Sequence, residues 1–319
     1  MNEREKNLIV TVTMNPSVDI SYPVDILKID DVNRVENISK TAGGKGLNVS
    51  RVIKQMDGEL IASGILGGSL GAYIIDQLND ENVPNRFLKI DKESRNCIAI
   101  LHEGNQTEIL ESGPTLDGGE GDRYFKLFEK LIEEADVITI SGSLPKGLSP
   151  NYYQRLLQKS HGKDVKILVD TSGEALKQTL LGDKKPFLIK PNTDELNALL
   201  EQEATFDIKG LKEALSNSLF DGVEAIVVSM GADGAFAKIQ DTFYKISIPE
   251  IKVVNPVGSG DATIAGLAMG IDQELSWEEV LKIAMTTGML NTMEERTGRI
   301  NKANFKEYFN QVKVEKIKK

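Results

Sequence analysis

The sequence predicts an α/β fold: a mostly parallel central sheet with helices on both faces, plus a small second β-sheet. Three observations carry this. From Gly119 onward, helix-like segments alternate with short β-branched runs, the order that builds parallel strands joined by right-handed crossovers. The runs themselves, such as 8–14 and 225–229, are β-branched and uncharged, with no charged residue on either face, as strands covered on both faces are. The rhythm breaks twice in the first half, at 20–40 and around 96–110, where short extended pieces read as a small sheet drawn from two separate stretches. A chain of 319 residues, 40% hydrophobic and 27% charged, suits one such domain with a small appendage.

Taken in order, the first strand, 8–14, ends at Asn15-Pro16 and is followed by Asp19. Ligands of open α/β sheets gather at the carboxyl ends of strands, so Asp19 can meet the hydroxyls of a polyol; alone, it reads equally as an exposed loop carboxylate. Extended pieces such as 33–39 belong to the small sheet. Then Gly43, Gly44, Lys45 and Gly46 precede a helix whose Leu47, Val49, Val52, Ile53 and Met56 face inward. A Walker-type loop is excluded, because no Ser or Thr follows the lysine and the G-x-x-x-x-G-K spacing is absent. The glycines admit a ligand close to the backbone, Lys45 offers a point charge, and Asn48 offers both a donor and an acceptor. A further strand and helix follow over 60–66 and 68–81. Residues 96–101 and 106–110 form a hairpin about Glu103-Gly104-Asn105. Arg95 at its start can fork onto a phosphate, or can be an ordinary surface arginine.

The regular half assigns helices to 124–134, 151–160 and 173–181 and strands to 137–140, 166–170 and 187–189. Their strand-end loops include Ser141-Gly142-Ser143-Leu144-Pro145 and Lys190-Pro191-Asn192-Thr193-Asp194-Glu195. Asn192 and Glu195 share a face of a helix's first turn, where their oxygens can order Mg²⁺ directly or through water, or close a capping box; both can hold. After strand 225–229, Gly231 and Gly234 allow a nucleotide to approach the backbone, and 236–246 reads as a hairpin. The stretch Asn255-Pro256-Val257-Gly258-Ser259-Gly260-Asp261 then enters an apolar helix. A Gly-rich turn at a helix start presents amides and the positive end of the helix dipole to an anion. Asp261 beside it would repel a resting phosphate, which makes sense for a base acting on an incoming nucleophile; a simple helix cap is the competing account. Helices over 277–291 and 305–312 follow, and the terminal lysines (Lys313, Lys316, Lys318, Lys319) read as a solvated tail.

Composition excludes several functions. A net charge of −10 argues against nucleic acid as partner and requires an anionic substrate to be held by local basic groups. The single cysteine, Cys97, excludes an internal disulfide and fits a cytoplasmic protein, and two histidines, His102 and His161, make a His metal site improbable. Residues 1–7 read as a flexible lead-in without a signal peptide, and no apolar run approaches membrane-spanning length.

Together these motifs resemble the ribokinase-like (PfkB) carbohydrate kinases. The glycine stretch ending in Asn48, Lys190-Pro191-Asn192-x-x-Glu195, Ser229-x-Gly231-x-x-Gly234 and Gly258-Ser259-Gly260-Asp261 follow the family's order and spacing, from Leu8 almost to the C-terminus. The elements Thr13-Met14-Asn15-Pro16-Ser17-x-Asp19, Arg95-Asn96 and Ser141-Gly142-Ser143 resemble its branch acting on phosphorylated ketohexoses. The resemblance implies a single kinase domain over 1–319 of the ribokinase-like three-layer fold. In it the small sheet, from about 18–42 and 91–112, is a lid that also joins two subunits. It implies Asp261 as base toward a sugar hydroxyl and the amides of Gly258, Ser259 and Gly260 as an anion hole. Asp19, Gly44 and Asn48 would hold the sugar, and Lys45, Arg95 and Ser143 its phosphate. Lys190, Asn192, Ser229, Gly231 and Gly234 would line the ATP site, with Asn192 and Glu195 ordering Mg²⁺ through water.

Overall fold

The β-branched runs form the middle of a ten-stranded sheet in the computed structural model, which describes residues 7–201 and 205–317. In chain order the strands are β1 (Ile9–Thr13), β2 (Ser17–Pro23), β3 (Ser39–Gly43), β4 (Leu60–Gly67), β5 (Asn85–Ile90), β6 (Arg95–His102), β7 (Asn105–Leu110), β8 (Val137–Ser141), β9 (Lys166–Asp170), β10 (Leu188–Ile189), β11 (Ala225–Ser229), β12 (Ala235–Ile239), β13 (Thr242–Ser247) and β14 (Lys313–Ile317). The helices are α1 (Lys45–Gln55), α2 (Gly68–Asp80), α3 (Gly118–Glu134), α4 (Tyr152–Lys159), α5 (Gly173–Leu181), α6 (Thr193–Leu200), α7 (Ile208–Leu215), α8 (Ser259–Asp272), α9 (Trp277–Thr292) and α10 (Phe305–Gln311). The large sheet runs β14-β13-β12-β11-β10-β9-β8-β1-β4-β5, parallel from β11 to β5 and antiparallel beyond it.

Two apolar cores sandwich this sheet. In β11, Ala225 and Val227 enter the core shared with α1, α2, α8 and α9, while Ile226 and Val228 enter the core shared with α3 to α7. The alternation is the strand period of two, with both sides apolar because both are covered. The predicted α/β class with helices on both faces is therefore borne out. Helix α8 is apolar on nearly all sides and correspondingly buried from Asp261 to Ile271. Gly266 lets it lie against α9: a Cβ there would stand 2.4 Å from Thr287 Oγ1 and 2.7 Å from Ala284 Cα. This close packing fixes the start of α8 at the carboxyl ends of the parallel strands.

The second sheet has four strands in the order β3-β2-β6-β7, with β2 antiparallel to β3 and parallel to β6. The β6–β7 hairpin turns through Glu103 and Gly104 at φ 48° and 76°, the left-handed pair of a type I′ turn that matches strand twist. Three details differ from expectation. In the first irregular stretch only the ends are strand, within β2 (Ser17–Pro23) and β3 (Ser39–Gly43), and 33–38 is not. Strand β5, an edge strand with one half-buried face and little β-branching, has no sequence signal of the β4 kind. The lysine-rich tail is not simply solvated: Lys313–Ile317 pairs with β13, placing Val314 opposite Ile246 while its lysines guard the open edge. Residues 1–6 of the expected lead-in, and Lys318 and Lys319, lie outside the described residues. Among the described residues no helix is long and apolar enough to cross a membrane.

Candidate active site

The start of α8 is built by one glycine. Gly258 caps it at φ 83°, and a Cβ there would lie 2.3 Å from Thr297 Cγ2 and 3.0 Å from Asn291 Oδ1, so both conformation and space require glycine. Ser259 N–H turns back to Pro256 O at 3.3 Å. The first turn of a helix leaves its remaining amides, here those of Gly260 and Asp261, without intrahelical acceptors, and these face the site.

Four charged groups meet beside this turn. Asp261 is 5% exposed and its Oδ2 accepts from Asn48 Nδ2 at 2.8 Å. Asp170, the last residue of β9, is 2% exposed; its Oδ1 stands 3.4 Å from Lys190 Nζ and its Oδ2 3.7 Å from Lys45 Nζ. Lys190, itself buried, passes so near Gly260 that a Cβ there would be 3.1 Å from Nζ. Burial first, and then the charge of Asp170, push the Asp261 carboxyl up to about 7, against the pull of Lys45, the Asn48 hydrogen bond and Lys190. Asp170 likewise holds the Lys45 ammonium above its ordinary range. A carboxylate poised near neutrality beside amides and two ammoniums can accept a proton while the opposite charge of a phosphoryl group is held.

A polar cavity of about 210 Å³ opens beside Lys45, over the ends of β1, β8 and β9. It is lined by Gly44, Lys45, Arg95 and Ser143, by Ser141 and Gly142 of the same strand-end loop, and by Thr13, Asn15, Thr171 and Ser172, to which the sequence alone gives no site role. Arg95 is aimed by two carbonyls, Nε to Asn15 O at 3.1 Å and Nη1 to Glu111 O at 2.9 Å. Thr13 Oγ1, Asn15 Oδ1 and Ser141 Oγ are buried without a hydrogen-bond partner, the state expected of groups that a polar ligand completes. Asp19 does not line this cavity. It lies inside β2 rather than in a loop after a strand, because pairing with β3 and β6 already begins at Ser17. Its carboxylate accepts from Ser17 Oγ at 2.6 Å and fills the space over Gly43, where a Cβ would stand 2.0 Å away; burial raises its pKa.

Lys190, Asn192 and Ser229 come together through an isolated bridge between Asn192 and Ser229 and the bond from Ser229 N to Pro191 O at 3.0 Å. Asn192 and Glu195 form the reciprocal capping box: Asn192 Oδ1 accepts from Glu195 N at 2.8 Å, and Glu195 Oε2 from Asn192 N at 2.9 Å. Among the described residues no group of three or more His, Cys, Asp or Glu could cage a metal. Glu195 Oε1, the one side-chain oxygen of this pair outside the capping box, suits a water-mediated contact to Mg²⁺ held mainly by phosphates. Gly231 turns at φ 58° into open space, as a backbone approached by a ligand requires. Gly234 has a structural reason of its own, since a Cβ would strike Ile246 O at 2.1 Å.

Sequence reasoning missed Asp170, although a strand-end aspartate before Thr171-Ser172-Gly173 carried the same positional signal as Asp19. A helix start built to hold an anion, with a poised carboxylate against it and a polar cavity alongside, is the arrangement of a phosphotransferase acting on a small hydroxylated acceptor. Residues 5–304 match the pfkB family carbohydrate kinase, and the chain belongs to that family. It is similar to tagatose-6-phosphate kinase of Staphylococcus epidermidis, with 52% identity over 307 residues, 96% of this chain and 99% of that protein. Phosphofructokinase-2 of Escherichia coli in complex with potassium superposes with a TM-score of 0.86 at 26% identity, covering 96% of this chain and 98% of that one. The same enzyme in complex with fructose-6-phosphate gives 0.84 at 25% identity over the same shares.

Proposed function

We propose that this enzyme transfers the γ-phosphoryl group of ATP to the C1 hydroxyl of D-tagatose 6-phosphate, giving D-tagatose 1,6-bisphosphate and ADP. Its class, an ATP-dependent sugar-phosphate kinase, follows from the family and from the similarity to tagatose-6-phosphate kinase across nearly the whole chain. The observation that carries the mechanism is the buried Asp261 at the amide-rich start of α8, one lysine away from a polar cavity.

Asp261 takes the proton of the acceptor hydroxyl as its oxygen bonds to the γ-phosphorus and the bond to the β-phosphate oxygen breaks; the proton later leaves to solvent. The turn from Gly258 through Ser259 to Gly260 stabilises charge on the transferred group, and Lys190 adds an ammonium beside it. Asp19, Gly44 and Asn48 hold the sugar, while Lys45, Arg95 and Ser143 receive its 6-phosphate. Lys190, Asn192, Ser229, Gly231 and Gly234 line the ATP site. Asn192 and Glu195 would order Mg²⁺ through water, and the ion would supply neutralisation of phosphate charge. The reaction is placed in the cytoplasm, in keeping with a chain that has a single cysteine.

Acceptor profiling with ATP and Mg²⁺ tests this reading. Tagatose 6-phosphate is expected to lead fructose 6-phosphate and fructose 1-phosphate in kcat/KM; the likeness to phosphofructokinase-2 makes fructose 6-phosphate the rival. A lead for either fructose phosphate overturns the acceptor while keeping the kinase. Arg95→Met is expected to raise KM for the sugar phosphate by roughly 10- to 100-fold with little change in kcat, the signature of lost ground-state binding.

The small sheet serves as a lid and as the contact between two copies. Its support is the number of exposed apolar side chains it carries: Leu101 and Leu110 on one face, Ile109 on the other, and Ile26 and Ile38 in the connection from β2 to β3. Light scattering should find a dimer, and Ile109→Lys a monomer; a monomeric parent protein rules the contact out.

A further inference from the structure

Arg51 takes no part in the scheme above, yet its guanidinium is only 4% exposed and every edge of it is engaged. Nε donates to Glu81 Oε2 at 2.8 Å, Nη2 to Ala42 O, and Nη1 to Asn48 Oδ1 at 3.1 Å. Glu81 is itself clamped from the other side by Arg299 Nη2. Asn48 stands one turn before Arg51 on the same face of α1, and its amide nitrogen is the donor to Asp261 Oδ2.

From this geometry we infer that Arg51 is a positioning residue for the base: by occupying the amide oxygen of Asn48 it fixes which end of that amide faces Asp261. An amide has one donor end and one acceptor end of nearly the same shape. Turned the wrong way, Asn48 presents a carbonyl to a carboxylate, and the two oxygens repel. A cation that cannot be deprotonated, held by Glu81 and by the Ala42 carbonyl, makes the wrong rotamer unfavourable by facing it with N–H against N–H. Gly298 lies close against Asn48 as well: a Cβ there would stand 3.1 Å from its Cα and its Oδ1, which leaves little room for a larger residue beside this amide. The relay thus runs from Arg299 and Glu81 near the surface, through Arg51 and Asn48, to Asp261.

The inference rests on Asp261 being the base. The other charged groups around that carboxylate are Asp170 from β9, Lys45 from α1 and Lys190 after β10, and none of them touches Arg51 in this chain of bonds. Arg51 does lie in the field of Asp19, so its removal also affects a sugar-side residue. The test must separate the two.

The experiment measures kcat/KM for the sugar phosphate from pH 5.5 to 9 for Arg51→Lys, Glu81→Gln, Asn48→Ala, the double variant Arg51→Lys/Asn48→Ala, and Asp261→Asn. The acid limb of Arg51→Lys is expected to move to higher pH by roughly one unit, a tenfold loss at pH 6 that is largely recovered at pH 8.5, with KM for ATP unchanged. Glu81→Gln should move the limb the same way by less. In the Asn48→Ala background Arg51→Lys should shift the limb no further, because the relay is already cut. A folded Arg51→Lys enzyme with the parental acid limb overturns the inference, as does an added shift in the double variant, which would assign the effect to the field of Arg51 at Asp19 or to packing. Should Arg51→Lys fail to fold, the limb of Glu81→Gln decides in the same two ways. If Asp261→Asn retains turnover, the base assignment itself falls, an outcome distinct from these.

Discussion

Asp261→Asn is expected to lower kcat by about 10²–10⁴-fold, the usual worth of a positioned base, and at the same time to make the protein more stable at pH 8. The two effects share one cause. Burial and the neighbouring charge of Asp170 raise the folded carboxyl from 3.8 to about 7. A raised folded pKa means that the folded state holds this proton more tightly than the unfolded chain. The contribution to stability is therefore full below the unfolded value and is lost as pH rises through the folded one. Between pH 4 and 7 the loss is on the order of 4 kcal/mol, from three units at about 1.4 kcal/mol each. Asparagine does not ionise and escapes this loss, although Lys45 and Lys190 then lack its charge, so a net gain of about 1–3 kcal/mol at pH 8 is expected. Chemical denaturation at pH 5 and pH 8 checks the sign: the gain should vanish at pH 5. A variant that is inactive and also less stable at pH 8 would show that Asp261 is a structural anchor instead of a strained base. In the parent enzyme the same carboxyl predicts a kcat/KM that falls tenfold per unit below about pH 7.

The parts of the site that were legible in the sequence are those whose chemistry depends on their immediate neighbours. Gly258-Ser259-Gly260-Asp261 announces itself because a helix start, a left-handed glycine and a carboxylate are local facts. Asn192 and Glu195 are equally readable, since a capping box is fixed by a spacing of three. The parallel sheet was readable because doubly covered strands, such as 225–229, are β-branched and uncharged. What escaped depends on distant partners. Arg51 reads as one more polar residue on an amphipathic helix; Asn48 is its neighbour one turn back, but nothing near it in sequence tells that Glu81 will close it in from the other side. Strand β14 escaped because its pairing is decided by β13, while its own composition says tail. Gly234 illustrates the converse: a glycine read as room for a nucleotide is required by the carbonyl of Ile246.

Asp170→Asn is expected to produce the second large effect, a loss of about 3–5 kcal/mol in stability, because it removes the carboxylate that Lys190 and Lys45 share. Lys190 is 5% exposed and cannot turn to water, so an ammonium is left buried with Asp261 as its remaining opposite charge. Asparagine keeps the shape and an acceptor oxygen, which confines the change to the charge. Activity should respond in a direction that simple damage does not give. Asp170 is the charge that raises Asp261 most after burial, so without it the base deprotonates more readily and the acid limb of kcat/KM moves to lower pH. Lys45 loses the main cause of its raised pKa in the same step. The variant is thus expected to melt earlier, to be slower at its optimum, and yet to retain a larger share of its optimum rate at pH 6 than the parent enzyme does. An acid limb that stays in place would mean that burial alone sets the base. A limb shifting down here and up in Arg51→Lys would instead require that two neighbours pull one carboxyl in opposite senses. That is the behaviour of a proton acceptor tuned by placed charges and dipoles, and a generally loosened site would shift both variants the same way.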